Sequence, residues 1–407
     1  MEELLEKTHV LPKGWRCVQL GDVLSDIIGG GTPSRDVERY WNGDIPWITV
    51  KDMRTRRPEA IQEHITEAGV NECATNIIPA DTVITATRVG LGKVVRVPYP
   101  AAINQDLKAL ITGPELDKDY LEWWIISQAN YIESIGSGTT VKGIRLNQLK
   151  ELEIPLAPLP QQRRIVEAIE LQLGRLDAAV ARLQGAKARL KRYKQAVLKA
   201  AVEGANVANE ETLGTLSELV TSGSRGWADY YADSGDIFIR AQNLKHDVLD
   251  LSDIAYVQLP AKVDGLRTQV MKHDILITIT GANVTKTALV EHDIDGRAFV
   301  NQHVALVRLK DPTQAPFVYR WLISPAHGRG FLEKLAYGAG KPGLNLSNIR
   351  DLSIPLPSVA DQEAAVARLN EIDAVNNELE TTLDAQLQQA GRLRQAVLKR
   401  AFEGRLV

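Results

Sequence analysis

Between about Pro160 and Gly204 the apolar residues recur at alternating steps of three and four. This spacing, in a segment rich in Ala, Leu, Gln, Lys and Arg, predicts one long helix whose apolar stripe packs against a second helix. The stripe consists of Val166, Ile169, Leu173, Leu176, Val180, Leu183, Leu190 and Val197, with Lys187 and Lys194 at the two intervening positions of the pattern. A less regular stripe between Asp361 and Glu403 predicts the partner helix, with apolar residues at Val366, Leu369, Ile372, Leu379, Leu383, Leu387, Leu393 and Val397.

The charges of the two helical segments favour an antiparallel pair. Residues 161–199 carry ten basic and three acidic residues, concentrated as a basic run from Lys187 to Lys194. Residues 361–400 carry five basic and seven acidic residues, with the acidic ones mostly in the first half. An antiparallel arrangement sets the basic run beside the acidic one, whereas a parallel arrangement sets basic beside basic. The alternative, that both runs are solvated faces, stays open.

The chain also repeats itself after 200 residues. A period of this length indicates a duplicated domain-sized unit and not a solenoid, whose repeats are shorter. The clearest pairs are Gly143 with Gly343, Leu152 with Leu352, Ile154-Pro155-Leu156 with Ile354-Pro355-Leu356, Gln162 with Gln362, and Gln195 to Lys199 with Gln395 to Lys399.

The segments outside the helices are short β-type apolar runs broken by Gly, Pro, Asn and Asp. Their matches drift, which indicates loop insertions in a shared fold. Asp81, Val83 and Lys93 match Asp274, Leu276 and Lys286 at an offset of 193, and Asn104-Gln105 and Trp124 match Asn301-Gln302 and Trp321 at 197. The predicted fold class is α+β, with two mixed α/β domains and two long helices in an antiparallel coiled coil. The predicted divisions are 1–158, 159–205, 206–358 and 359–407.

Such a frame suits two recognition surfaces held apart. If the two halves are related by a pseudo-dyad, about 36 paired helical residues give a spacer of roughly 54 Å. One turn of B-DNA measures about 34–36 Å, so two diverged loop sets would read two half-sites separated by an unread gap.

Composition limits the class of protein. The chain has 407 residues, 44% of them hydrophobic and 24% charged, as expected for globular domains. Two isolated cysteines, the lack of a membrane-length apolar run and an acidic N-terminus predict a soluble cytoplasmic protein. The net charge of −3 argues against DNA binding by bulk positive charge, although local basic surfaces remain compatible with it.

Several phrases resemble a known family. The phrases are Leu11-Pro12-Lys13-Gly14-Trp15, Leu20-Gly21-Asp22, Gly31-Thr32-Pro33-Ser34, Tyr40-Trp41 and Gly43-Asp44-Ile45-Pro46-Trp47-Ile48. They resemble a target recognition domain of a type I restriction-modification specificity subunit, and the runs leading to Gln162 and Gln362 resemble the start of that family's helical regions. The resemblance covers essentially the whole chain. The second half departs from it at residues 221–226, where the Thr-Pro-Ser phrase is missing.

The resemblance implies a non-catalytic subunit that binds a bipartite, asymmetric sequence in double-stranded DNA. It implies two methyltransferase subunits, which use S-adenosylmethionine to methylate adenine at N6, and two restriction subunits, which use ATP and Mg²⁺. No cofactor is expected in this chain, and no membrane partner.

Candidate DNA contacts are the exposed residue types that read bases or hold phosphates. For any one Arg or Lys, a solvated surface charge is the commoner role. Lys93 and Lys286 recur in both copies and therefore suit phosphate better than sequence reading. Trp47, Trp124 and Trp321 are predicted to be core residues. The candidates are Thr32, Ser34, Arg35, Lys51, Arg54, Arg56, Arg57, Arg88, Lys93 and Lys142, then Ser222, Ser224, Arg225, Arg240, Gln242, Asn243, Lys245, Asn283, Lys286 and Lys341.

Two other classes of function compete with DNA recognition. A self-sufficient nuclease or methyltransferase is disfavoured because the sequence has no phosphate loop, no amino-methyltransferase tetrapeptide and no paired-histidine zinc motif. A coiled-coil adaptor that binds only protein would leave the divergence of the loops without a purpose.

Overall fold

The structure is a computed structural model, and it describes residues 11–138, 141–204, 207–223, 225–263, 265–338 and 342–407. The chain forms two compact units, of which unit 1 comprises residues 1–183 and 385–407 and unit 2 comprises residues 184–384. These limits cut both long helices in the middle, because helix side chains belong to the core of each unit. The four-segment division predicted from the sequence instead places its limits at the helix ends.

Unit 1 and the helix that leaves it contain ten strands and six α-helices within the described ranges. The strands are β1 (Arg16–Gln19), β2 (Leu24–Gly29), β3 (Trp41–Ile48), β4 (His64–Ile65), β5 (Ile77–Ile78), β6 (Val83–Ala86), β7 (Val94–Val95), β8 (Ala101–Ile103), β9 (Leu107–Thr112) and β10 (Glu153–Leu156). The helices are α1 (Leu20–Val23), α2 (Glu67–Asn71), α3 (Lys118–Ser127), α4 (Ala129–Ile135), α5 (Leu146–Lys150) and α6 (Leu159–Glu203).

Unit 2 and the helix that leaves it follow a similar order, with ten strands and five α-helices in the described ranges and no counterpart of α2. The strands are β11 (Val207–Thr212), β12 (Ser217–Ser222), β13 (Tyr231–Ala232), β14 (Asp236–Ile239), β15 (Ala255–Val257), β16 (Ile275–Thr278), β17 (Thr287–Leu289), β18 (Ala298–Val300), β19 (Val304–Leu309) and β20 (Ser353–Pro357). The helices are α7 (Leu213–Leu216), α8 (Ala315–Ile323), α9 (Gly328–Leu335), α10 (Leu346–Arg350) and α11 (Val359–Phe402).

One sheet has the same topology in both units. It runs β2-β9-β6-β7 in unit 1 and β12-β19-β16-β17 in unit 2, with every pair antiparallel. The second sheet runs β4-β3-β8-β5 in unit 1 and β13-β15-β14-β18 in unit 2. It keeps one parallel pair, β3 with β8 and β14 with β18, but its other strands differ. The units thus share a frame and diverge in the second sheet.

The shared sheet lies between two hydrophobic cores in each unit, since one of its two inner strands, β6 or β16, is buried on both faces. In β6, Val83 joins the core under α3, whereas Ile84 and Ala86 join the core toward the second sheet. In β16, Ile275 and Leu276 divide in the same way. Trp47, Trp124 and Trp321 are at most 2% exposed, which confirms that they are core residues.

The strand alignment read from the sequence is wrong by one residue. The backbone amide of Asp81 donates to Val97, and in unit 2 the corresponding bond to Val290 comes from His273, not from Asp274. Asp81 and His273 also share a positive φ. Val83 therefore corresponds to Ile275. A strand that is apolar on both faces does not fix its register by pattern, so both alignments look equally good in the sequence.

In each unit the parts of the two long helices run antiparallel, as the charges predict. In unit 1, Arg394 donates to Asp177. In unit 2, Lys194 donates to Asn377 at 3.0 Å and to Glu380 at 2.8 Å. The Asp177–Arg394 and Asn377–Lys194 pairs occupy equivalent positions of the 200-residue repeat. The basic and acidic runs are therefore helix–helix contacts and more than solvated faces.

Each long helix has a buried glutamine near its start, and this glutamine recurs after 200 residues. The Gln162 carboxamide donates to the carbonyl of Ala157 at 2.7 Å, and Gln362 donates to Pro357 at 2.9 Å. Both side chains are at most 3% exposed. The described helices include none with the length and apolarity of a membrane span.

Candidate DNA-contact edge

Several candidate residues of unit 1 lie around one turn between β8 and β9. In this turn the backbone amide of Asn104 donates to Ile48 at the end of β3, and its side-chain oxygen accepts from the Asp106 amide at 3.2 Å. The Asp106 carbonyl accepts from the Thr87 amide at 2.8 Å. We call residues 104–106 the Asn-Gln turn of unit 1. It ties the ends of β3, β6 and β8 together.

The loop after β2 lies directly against this turn. A β-carbon added to Gly30 would sit 1.9 Å from the Ile103 carbonyl oxygen, so only glycine permits the approach. Two residues farther on, the exposed Thr32 hydroxyl donates to the Gln105 side chain. Ser34 is exposed, and its carbonyl accepts from the indole of Trp41 at 3.0 Å.

On the other side of the Asn-Gln turn lie the β6–β7 turn and the described part of the segment from Gly136 to Gly143, which we call the Gly-rich loop. Arg88 faces Asp106 at 3.5 Å and is 54% exposed. It also forms a β-bridge with Gly143. Lys93 and Lys142 line one open hollow with a volume of about 480 Å³. Arg88 and Lys93 therefore share one surface with Lys142, which is distant from both in the sequence.

The basic cluster that the sequence groups together is divided by the fold. Lys51 lies 3.5 Å from Glu63, and Arg35 also pairs with Glu63 while stacking 3.8 Å above the Trp41 ring. Arg54 is exposed.

Arg56 and Arg57 bind a different carboxylate, that of Glu122 in α3. Arg57 binds it through two bonds of 2.7 Å, and Arg56 binds it at 3.1 Å while stacking on Trp123. Burial raises the pKa of Glu122, but the guanidinium groups of Arg57, Arg56 and Arg96 outweigh it and the net pKa is lowered. Arg56 and Arg57 thus support the fold, and they do not join the residues around the Asn-Gln turn.

The loop after β2, the Asn-Gln turn, the β6–β7 turn and the Gly-rich loop together form the candidate edge of unit 1. Unit 2 builds the same edge with different side chains. Its Asn-Gln turn is residues 301–303. The Asn301 amide donates to Ile239 at 2.9 Å, its side chain accepts from the His303 amide at 3.0 Å, and the His303 carbonyl accepts from Ile279 at 2.9 Å. A β-carbon at Gly223 would lie 2.2 Å from the Val300 carbonyl oxygen, as at Gly30.

Ser222 ends β12, and the loop after it carries the exposed Arg225. The Ser222 carbonyl accepts from Arg267, an arginine that the sequence reading missed. Ser224 lies outside the described residues, as does Lys341. The described part of the second Gly-rich loop meets the β16–β17 turn, where Thr280 bridges Gly343 in the place that Arg88 takes in unit 1.

The turn after β14 corrects one candidate. The Asn243 side chain accepts from the Arg240 amide at 2.9 Å and donates to Asp250 and Asp253, and it is 2% exposed. Asp52 makes the equivalent bond to Thr49 in unit 1. Asn243 therefore holds the turn from inside and leaves the candidate interface. Its neighbours Arg240 and Gln242 both bind Asp253, and Lys245 is exposed.

Lys93 and Lys286 occupy equivalent positions directly before β7 and β17, although β6 and β16 align at a different offset. The Lys93 carbonyl accepts from Ala86, and the Lys286 carbonyl accepts from Thr278. Unit 2 has one extra residue in the turn, which restores the match. The Lys286 amine lies 3.9 Å from Asp247, whereas Lys93 is exposed. Asn283 forms the turn by accepting the Lys286 amide.

The candidates predicted from the sequence do not include Gln105 and Gln302, which stand exposed at the tips of the two Asn-Gln turns. The recurrence of Asn-Gln at an offset of 197 was the available signal. In the described part of the chain, no cluster of three or more His, Cys, Asp or Glu side chains has the arrangement of a metal site.

The fold and this edge define a class: a duplicated α/β domain, each copy with a matching rim of loops and each packed on parts of two antiparallel helices. Comparison with known families identifies the family that has this architecture. The family model of the type I restriction modification DNA specificity domain matches residues 12–184 and 212–389. The chain therefore belongs to the family of type I restriction-modification specificity subunits.

Individual relatives agree with this assignment. The EcoBI specificity subunit of Escherichia coli is 26% identical over 336 residues, covering 75% of this chain and 70% of that protein. The StySPI specificity subunit of Salmonella potsdam is 22% identical and covers 97% of this chain and 90% of the relative. The MjaIX specificity subunit of Methanocaldococcus jannaschii is 31% identical, but only over 39% of this chain and 38% of its own length.

Solved structures share the fold. A chain from a structure of a type I restriction-modification system superposes with a TM-score of 0.77 at 18% identity, over 97% of this chain and 99% of the other. The HsdS subunit of Thermoanaerobacter tengcongensis gives a TM-score of 0.54 at 20% identity, over 97% and 98%.

Proposed function

We propose that this chain recognises a bipartite, asymmetric DNA sequence, with one half-site bound at the candidate edge of each unit. The carrying observation is that the two edges share a frame and differ in exposed side chains. Two residues past the closely packed glycine, unit 1 has Thr32 and unit 2 has Arg225. Where unit 1 has Arg88, unit 2 has Thr280. A common frame with different donors suits two different sequences.

The chain supplies recognition, and its partners supply chemistry. We infer that two methyltransferase subunits dock on it, carrying the S-adenosylmethionine, and that two restriction subunits carrying ATP and Mg²⁺ complete the complex. The long helices offer partner surface because several large apolar side chains on them are about half exposed. They are Leu171, Tyr193, Val375, Leu379 and Leu393, at 57%, 52%, 58%, 49% and 47% exposed.

Partner docking also accounts for the charge of the chain. Basic side chains at the edges are few and several are paired with carboxylates, as Arg88 is with Asp106 and Lys286 with Asp247. We infer that the methyltransferase subunits contribute much of the affinity for phosphate, since counterion release scales with the number of phosphates neutralised.

The decisive experiment is to co-express the chain with its cognate methyltransferase and to map methylated adenines across a genome. We expect a bipartite motif with two different halves. A chimera that carries residues 206–358 of another specificity subunit should change one half and leave the other and the gap unaltered. A continuous or palindromic motif would contradict the proposal. Failure of the complex to bind DNA would instead favour an adaptor that contacts only protein.

A further inference from the structure

The two Asn-Gln turns are the part of the candidate edges that the units share most closely. Four backbone and side-chain bonds recur in both. The backbone amide of the Asn donates to the end of β3 or β14, and its side-chain oxygen accepts from the backbone amide of the third residue of the turn. The Asn carbonyl accepts from the first residue of the next strand, and the carbonyl of the third residue accepts from the residue after β6 or β16. These bonds fix the tip of each turn from three sides.

At the tip of each turn stands an exposed glutamine, Gln105 or Gln302. The four bonds that fix each turn come from the neighbouring residues and not from the glutamine side chain. The Gln105 side-chain oxygen accepts from the Thr32 hydroxyl, a bond that does not use the two amide hydrogens of Gln105. The Gln302 carboxamide nitrogen lies 3.2 Å from the ring of His303.

A glutamine at the same place in both units suits a contact that both half-sites offer. The flanking positions differ between units, Thr32 against Arg225 and Arg88 against Thr280, so base reading falls to them. The sugar–phosphate backbone is a feature that any two sequences share, and glutamine amides are regular donors to phosphate oxygens. A neutral donor also fits the position of Gln105, where the adjoining Arg88 is partly neutralised by Asp106 at 3.5 Å.

We propose that Gln105 and Gln302 each donate a hydrogen bond to a backbone phosphate of the half-site bound by their own unit. Each Asn-Gln turn thereby sets the register in which its divergent neighbours meet the bases. This inference rests on the proposed function, and it assigns to both units one positioning contact made by an uncharged group.

The test uses the complex of the full chain with its methyltransferase, bound to a DNA duplex that contains the mapped motif. Gln105→Ala and Gln302→Ala should each weaken binding about tenfold, equivalent to about 1.4 kcal/mol. The methylated motif should stay the same. Because no counterion is released by an uncharged group, the slope of log K against log salt should also stay the same. Gln105→Glu should weaken binding more than Gln105→Ala, since its carboxylate repels phosphate.

Two controls separate this role from others. Lys93→Ala should lower the salt slope by about 0.9, as expected for a lost cationic phosphate contact. Gln258→Ala removes an exposed glutamine that bonds only within unit 2, to Ser234, and should leave affinity unchanged.

Distinct results would overturn the inference. Relaxation of one base in the half-site matched to the altered unit would make the glutamine a base reader. Unchanged affinity in both alanine variants would make it an ordinary surface residue. If the unaltered complex does not bind the duplex, the proposed function itself fails, and that result is distinguishable from either outcome.

Discussion

Replacing Glu122 with Gln tests whether Arg56 and Arg57 serve the fold. The Glu122 carboxylate is 1% exposed and receives Arg57 through two bonds of 2.7 Å and Arg96 at 2.9 Å. Breaking a buried ion pair costs about 3–5 kcal/mol. The cost should be smaller here because Gln keeps one acceptor, Arg96 retains Asp81 and Asp119, and Arg56 and Arg57 are 40% and 47% exposed. We expect a loss of about 2–3 kcal/mol in unit 1, or roughly 4–12 °C in Tm.

The pH dependence follows from the sign of the pKa shift. The folded-state pKa of Glu122 is lowered, so its contribution to stability is present above the ordinary Glu pKa of about 4.3 and is lost as pH falls through the folded value. The Gln variant lacks this contribution at every pH. The difference in unfolding free energy between wild type and Glu122→Gln should therefore be largest near pH 7 and shrink below about pH 4.

Urea denaturation with hydrogen exchange of the α3 peptide measures this difference in unit 1. Glu133→Gln, on the exposed face of α4, is the matched control and should change stability little. A difference below about 0.5 kcal/mol at neutral pH, or one that stays constant on acidification, would refute the structural assignment of Arg56 and Arg57.

Three further predictions concern the edge and the helices. Lys93→Ala should reduce DNA affinity more than Lys286→Ala in filter-binding titrations, because Lys286 already faces Asp247 at 3.9 Å; equal losses would contradict this. Gly223→Ala should impair methylation through the second half-site, since the added β-carbon would lie 2.2 Å from the Val300 carbonyl oxygen and must displace the loop, and normal activity would show that the approach is not needed. Asn376→Leu should stabilise unit 2 by about 1 kcal/mol in urea denaturation, because Asn376 is 3% exposed with an unpaired amide nitrogen where the repeat has Leu176; destabilisation would mean that the amide has a partner.

The sequence alone determined the long helices, their antiparallel pairing and the duplication. Helical period and charge are local properties that continue over more than forty residues, so the prediction from about Pro160 to Gly204 agrees with a helix from Leu159 to Glu203. The burial of Trp47, Trp124 and Trp321 also followed from their apolar surroundings.

Only the tertiary structure decided the strand register and the composition of the edge. β6 and β16 are buried on both faces, so pattern could not distinguish Ile275 from Leu276 as the partner of Val83. Arg56 and Arg57 looked like neighbours of Lys51 because they are close in sequence, but a buried carboxylate on α3 draws them away. Conversely, Gln105 meets Thr32 and adjoins Arg88 only because strand ends far apart in the chain share one rim. Contacts between distant segments depend on which backbone groups the sheet pairs, and a sequence pattern does not encode that pairing locally.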